Sequence, residues 1–412
     1  MSTNSPSRRD YDVVVLGASG HTGQLIAMYL DVHPEQPRFA IAGRSEASLA
    51  EIKQRLRLKD SVGILVVDTH NKTALETVAS RTHVIINAVG PYQRLGGVKV
   101  VQACVKAGTH YTDASAESEF SAKIIKNFHS KAEEAKVKIV LTAAFACLPM
   151  DLAATLSVRK LVQLTSKPPS GRIRSQKAQT SNPSHNILVD CGFSLPGVVS
   201  SGTLFTALSI ATDAPKTLKS QGSEWLTPSS SYTGAPVTAY YDQDVDKLAF
   251  PGATSLPHKG LGEFALLPYG WLASLSTWIA AGFVWLLIRS SLLRWIITKV
   301  ASALPRHAPQ SLEGYTKESV KVSALATAVG SKDVQGKPVR AVCRIEAANQ
   351  DMYVLSAVTM AETALTFIAA PKMEHPGGVL TPSLIGVDTL VERLTKFGGL
   401  RFQVEAFSDE DV

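Results

Sequence analysis

The sequence predicts an α/β protein in which an N-terminal doubly wound parallel sheet precedes a second, α+β domain. Three observations lead there. Between Tyr11 and Thr142, short apolar and β-branched runs alternate with helix-like segments long enough to cross back to the same sheet edge. The first run ends in a glycine-rich turn immediately before a helical segment. Beyond residue 150, the segments 319–329, 339–348 and 352–370 have strand-like apolar content.

The length of 412 residues suits two domains, and 45% hydrophobic with 19% charged residues excludes a disordered or fibrous chain. Residues 1–150 form the expected nucleotide-binding domain, 151–380 the α+β substrate or dimerisation domain and 381–412 a C-terminal segment. The net charge of +7 comes from 42 basic and 35 acidic residues without a dense basic block, so nucleic acid is not an expected partner. Cys104, Cys147, Cys191 and Cys343 lack CxxC spacing and the ten histidines lack HxxxH spacing, so no metal site is expected. The polar start Met1–Asp10 leaves no room for a signal peptide before the first strand, which points to a cytoplasmic chain.

Strands are expected at 12–16, 38–42, 63–67, 83–89, 110–112 and 137–142, with helices near 21–30, 46–57, 72–80, 97–107 and 117–135. After strand one comes Gly17-Ala18-Ser19-Gly20-His21-Thr22-Gly23. Gly17 permits the tight turn, Gly20 a close approach to pyrophosphate and Gly23 helix–strand packing, while the helix N-terminus faces the anion. This is a Rossmann-type dinucleotide site. After strand two, where an acid would hold the ribose hydroxyls of NAD, stand Gly43-Arg44-Ser45. A guanidinium fork and a hydroxyl suit a 2′-phosphate, so NADP(H) is the expected cofactor. Asp68, closing strand three, reads either as an acceptor for the adenine amino group or as a helix cap. Asn87, Ala88, Val89 and Gly90, at the end of strand four, form the expected wall beside the nicotinamide ribose.

Chemistry should come from the carboxyl ends of the strands, where Tyr92 and Asp113 are the leading candidates and Tyr111, Glu117 and Cys147 weaker ones. Tyr92 reads as a proton donor or as an aromatic ring packed beside the cofactor. Asp113 reads as a substrate-orienting or proton-relaying carboxylate, or as the cap of helix 117–135.

The motifs GASGHTG, AGRS, NAVGPY and YTDASAE, with Gly377–Pro382 followed by helix-like 385–397, resemble the saccharopine dehydrogenase-like oxidoreductases, a family that includes trans-acting enoyl reductases. The resemblance covers about 10–160 and 315–405 and is weaker between. It implies a mixed sheet in the second domain, a C-terminal segment 381–412 that packs back on the Rossmann domain, and an NADPH-dependent enzyme reducing the conjugated C=C (enoyl) bond of an apolar acyl or polyketide-like substrate, free or carrier-bound. Reduction of an imine or carbonyl is the alternative in the same family, and a non-catalytic NADPH-binding protein of a membrane or lipid droplet is the alternative outside it. Where the family has an acid and a hydroxyl, this chain has Ala146 and Cys147 within Ala144–Asp151, so no catalytic acid is carried over.

In the middle, Arg159–Ile187 reads as a solvated basic loop or strand, 204–210 as a helix and 227–231 as a surface loop. The apolar helical segment 264–300 is free of charge from Phe264 to Ile288 and carries Trp271, Trp278 and Trp285 on one helix face. It is expected to make peripheral contact with a membrane or lipid droplet, line a lipid tunnel or join a homodimer.

Overall fold

The computed structural model describes residues 9–145, 147–166, 187–194, 286, 290–303, 319–332, 338–369 and 377–407. The first unit runs β1 (Tyr11–Leu16), α1 (His21–Val32), β2 (Phe39–Gly43), α2 (Glu46–Arg55), β3 (Gly63–Val66), α3 (Lys72–Ser80) and β4 (Thr82–Asn87). It continues with α4 (Gly97–Ala107), β5 (His110–Asp113), α5 (Ser118–Glu134) and β6 (Lys138–Val140). Every one of these elements was expected, with ends within about two residues.

The strands pair in parallel in the order β3-β2-β1-β4-β5-β6. The order reverses between β1 and β4, and a ligand crevice belongs outside the carboxyl ends of those two strands. Val13, Val14 and Val15 are fully buried and Leu16 nearly so, as expected for a central strand covered on both faces. Two crossover helices open on capping side chains: Ser45 Oγ accepts from Ser48 N–H at 3.3 Å, and Asn71 Oδ1 from Ala74 N–H at 3.1 Å.

The chain continues through α6 (Leu148–Ser166), β7 (Ile187–Ser194), α7 (Ser291–Ala303), β8 (Val320–Lys332), β9 (Pro338–Ala347) and α8 (Met352–Ala369). It ends with β10 (Gly378–Leu380), a 3₁₀ turn at Pro382–Ile385, α9 (Val387–Lys396) and β11 (Leu400–Ala406). The second sheet, β11-β9-β8-β7, is antiparallel at each pairing rather than mixed. A parallel neighbour needs a long crossover, and β8 and β9 are too close in the chain to hold one. One face of this sheet takes α6, where Leu161 packs with Ala326 and Ala341. Arg159 and Lys160, expected in a solvated loop, lie in α6.

Within segment 352–370, Met352–Ala369 is a helix, not a strand. Every residue from Met352 to Phe367 is buried, so neither a period of two nor a period of 3.6 marks it, and such a run looks the same as a buried strand. Its length, beyond that of ordinary strands, is the distinguishing feature. Asp351 Oδ1 starts the helix by accepting from the N–H groups of Tyr353 and Val354 at 2.9 and 2.8 Å. Among the described residues this is the one helix apolar and long enough to cross a membrane, and 89% of that stretch is buried inside the fold. It packs on α1 and over β4 and β5.

The described residues 377–407 divide between the two sheets. The strand that joins the parallel sheet is β10, pairing Gly378, Val379 and Leu380 with Lys138, Ile139 and Val140; β11 instead closes the edge of the antiparallel sheet. Between them, α9 fastens to α1 and α8 through a buried polar cluster that sequence reasoning missed. Glu362, with no exposed surface, receives the Tyr29 hydroxyl at 2.6 Å, His33 Nε2 at 3.0 Å and Arg393 Nε at 2.8 Å. Arg393 also donates both terminal nitrogens to Glu35 at 2.9 and 2.7 Å, and those bonds hold the Glu35 carboxyl below its ordinary range.

Segments 204–210 and 227–231 lie outside the described residues, as do Trp271, Trp278 and Trp285. At the end of 264–300, α7 carries Leu292, Trp295 and Ile296 at 65%, 59% and 42% exposure.

Candidate functional site

The turn after β1 is shaped by what a Cβ would strike. Gly17 has φ +87°, and a Cβ there would lie 2.7 Å from Val89 Cγ2 and 3.0 Å from the carbonyl carbon and oxygen of Ala88. At Gly23 a Cβ would fall 2.3 Å from the Gly17 carbonyl oxygen, so helix and strand can approach this closely only with glycine. Gly20 is different: a Cβ there would lie 3.3 Å from the Gly17 carbonyl oxygen, a tight approach rather than a clash, and φ is an ordinary −83°, so its own chain demands glycine less strongly. The demand there fits a ligand's approach from solvent, toward which Ser19 and Gly20 are exposed. Gly20 is also the N-cap of α1, with no side-chain cap bond and no acid in the first turn. The backbone N–H groups of His21 and Thr22 begin the helix, and the arrangement fits a pyrophosphate. The His21 ring itself is taken up by the edge of Tyr353 on α8, at 5.1 Å between centroids, which leaves this residue its backbone for the turn.

At the end of β2, Arg44 and Ser45 are both exposed. Arg44 has no ion-pair partner among the described residues, and Ser45 spends its oxygen lone pair on capping α2, keeping its hydroxyl hydrogen to donate. Asp68 is exposed after β3 and accepts from His70 N–H at 2.8 Å; the cap of α3 is Asn71, so the capping reading of Asp68 is corrected.

The ends of β4, β5 and β6 are arranged otherwise. Buried Asn87 donates from Nδ2 to the Tyr111 hydroxyl at 3.0 Å, which donates to Asp113 Oδ2 at 2.8 Å. Asp113 Oδ1 accepts from Ser115 N–H at 3.0 Å, Ser115 Oγ at 2.7 Å and Thr142 N–H at 3.0 Å. Thr142 is held in the left-handed region at φ +57°, at the point where the chain leaves β6. Burial pushes the Asp113 carboxyl up to about 6, against the pull of these hydrogen bonds. The carboxylate caps no helix: the N-cap position of α5 is Glu117, and Asp113 instead ties the exits of β5 and β6 together.

Tyr92 is 4% exposed, and its hydroxyl donates to the Asn87 carbonyl at 3.1 Å while accepting from Ala114 N–H at 3.1 Å. Its single proton is already used, and burial with the nearby Asp113 carboxylate holds the phenol well above its ordinary range. Of the two sequence readings, the geometry fits the packed ring. Phe120 stacks on that ring at 5.6 Å. Ala88, Val89 and Gly90 are part-buried between this cluster and the glycine turn, with Ala88 N–H on the Leu16 carbonyl at 2.8 Å. Cys147 has its thiol pushed up by burial, which fits a small packed residue rather than a nucleophile. Among the described residues no group of His, Cys, Asp or Glu is placed to hold a metal ion.

A glycine turn feeding an open helix start, at the reversal point of a doubly wound sheet, defines a dinucleotide-binding domain. Residues 13–140 match the family model described as the saccharopine dehydrogenase NADP-binding domain, which supports NADP(H) as the cofactor of the N-terminal unit. The chain is 36% identical over 149 residues to a trans-acting enoyl reductase of Mycobacterium ulcerans (strain Agy99), covering 36% of this chain and 35% of the relative. It is 34% identical over 167 residues to a saccharopine dehydrogenase-like oxidoreductase of Bos taurus, covering 37% and 39% of the two chains. The aligned stretch thus spans well under half of either relative's length. Among solved structures, saccharopine dehydrogenase (L-Glu forming) from Saccharomyces cerevisiae is similar across 97% of this chain and 100% of its own, at 14% identity and a TM-score of 0.49.

Proposed function

We propose that this protein is an NADPH-dependent oxidoreductase that reduces the conjugated C=C bond of an apolar acyl or polyketide-like substrate, carried as a thioester or on a carrier. The observation that carries the cofactor half is the pairing of an uncapped α1 start with exposed Arg44 and Ser45 at the end of β2, where no carboxylate stands. The enoyl half is supported by the name of the mycobacterial relative, aligned over this same domain.

In this reading the N–H groups of His21 and Thr22 bind the pyrophosphate, Arg44 and Ser45 the 2′-phosphate, and Asp68 the adenine amino group. Asn87, Ala88, Val89 and Gly90 back the nicotinamide ribose. Bound NADPH supplies the hydride; the protein supplies alignment, and the polar cluster behind Ala88–Gly90 keeps that wall in place. Asp113 positions the exits of β5 and β6, and Tyr92 braces the wall from behind.

Two further readings have particular support. The bovine relative's name favours reduction of a C=N or C=O bond on the same scaffold. The commitment of Tyr92 and Asp113 to the chain's own atoms favours a protein that binds NADPH without turning it over. The exposed Leu292, Trp295 and Ile296 of α7 support peripheral contact with a membrane or lipid droplet, without bearing on the reaction.

The test is the decay of NADPH fluorescence with the purified protein against enoyl thioesters, enones, imines and aldehydes. The proposal expects turnover with an enoyl thioester. Turnover confined to imines or aldehydes would move the reaction class, and binding without decay across the panel would favour the non-catalytic reading.

A further inference from the structure

Glu117 occupies the N-cap position of α5, where a side-chain oxygen ordinarily accepts from its own helix, yet it makes no cap bond. Its carboxylate reaches across to another loop. Oε1 accepts from Tyr92 N–H and Oε2 from Gln93 N–H, each at 2.8 Å, and the residue is 5% exposed. One turn further along α5, Phe120 stacks on the Tyr92 ring, and a Cβ at Gly97, where α4 begins, would come within 3.0 Å of that same phenylalanine. The loop between β4 and α4 is therefore gripped at its middle by two charge-assisted bonds and flanked by an aromatic stack, all from one helix face. The start of that loop, Ala88 and Val89, is what a Cβ on Gly17 would strike, so its position sets the floor of the glycine turn.

We infer that Glu117 is a positioning residue for the nicotinamide half of the cofactor. It fixes residues 88–93 through two backbone N–H groups and does not touch cofactor or substrate. The inference rests on the NADPH-binding reading above. The adenosine half, held by Arg44, Ser45 and Asp68 on the far side of β1, lies outside the reach of this grip. Loss of the grip should therefore weaken the whole cofactor while sparing its adenylate half.

The experiment titrates the full-length protein, wild type, Glu117→Gln and Glu117→Ala, with NADPH and separately with 2′,5′-ADP, which carries only the adenosine half and its phosphates. Removing both acceptors should raise the Kd for NADPH about tenfold or more, with the Kd for 2′,5′-ADP unchanged within about twofold. Glu117→Gln, which keeps one acceptor and nearly the same shape, should fall between wild type and Glu117→Ala. A parallel loss for both ligands would show a general structural role and overturn the inference, as would unchanged NADPH affinity in both variants. Failure of wild type to bind either ligand would overturn the cofactor reading itself, and the inference with it.

Discussion

The two halves of the parallel sheet handle their polar groups in opposite ways. Around β1, β2 and β3 the groups expected to meet the cofactor lie at the surface: Ser19, Gly20, Arg44, Ser45 and Asp68 are exposed, and α1 starts without a cap. Around β4, β5 and β6 they are withdrawn and bonded to one another, with Asn87, Tyr92, Tyr111, Asp113 and Glu117 all buried. The first half keeps donors available for an anion arriving from water. The second spends its polar groups on fixing the backbone, which suits the side where a reacting ring must be held to a fraction of an ångström. A list of polar residues at strand ends would make the halves look alike; hydrogen-bond partners separate them.

The strongest way to break the rigid half is from behind. Over β4 and β5 lies α8, anchored by Glu362 to Tyr29, His33 and Arg393. Glu362→Ala leaves three buried partners without their common acceptor and should cost about 3–5 kcal/mol in chemical denaturation. A loss below about 1 kcal/mol would mean that α8 is held by packing alone.

Next comes Asp113, through pH. Its folded carboxyl titrates at about 6 against an ordinary 3.8, so the folded state binds the proton more tightly than the unfolded state. Stability should therefore fall as pH rises between those two values and be level above, by roughly 3 kcal/mol in all. Asp113→Asn, which cannot ionise, should lack that segment of the stability–pH curve. Parallel curves for the two proteins would show that Asp113 does not titrate in this window.

The smallest effect sharpens the open half. Ser45→Ala removes the cap of α2 and should lower stability by about 1 kcal/mol, while also weakening NADPH more than NADH. A stability loss with unchanged cofactor preference would leave Ser45 a cap and nothing more.

The fold of the first unit was legible because its signals are local: β-branched runs, capping residues and a glycine turn each act within a few neighbours. Where burial is complete the periodic signal vanishes, which is why 352–370 reads as a strand although Met352–Ala369 is a helix. The three-residue strand β10 and the edge strand β11 were not anticipated; their pairing partners, β6 and β9, are far away in sequence. The glycine turn could be read because its chemistry is backbone chemistry. The role of Glu117, a weaker candidate for chemistry from its place after β5, could not, since nothing in its neighbourhood points to Tyr92 and Gln93. Tyr92 stands beyond the end of β4 as expected, with its hydroxyl on the Asn87 carbonyl.

The most direct test of the open half is a titration of wild type and Arg44→Ala with NADPH and NADH in the absence of any acceptor. The account predicts that wild type prefers NADPH by about tenfold or more, and that Arg44→Ala loses most of that preference while binding NADH nearly as before. Equal affinities in wild type, or equal losses for the two cofactors in the variant, would contradict it.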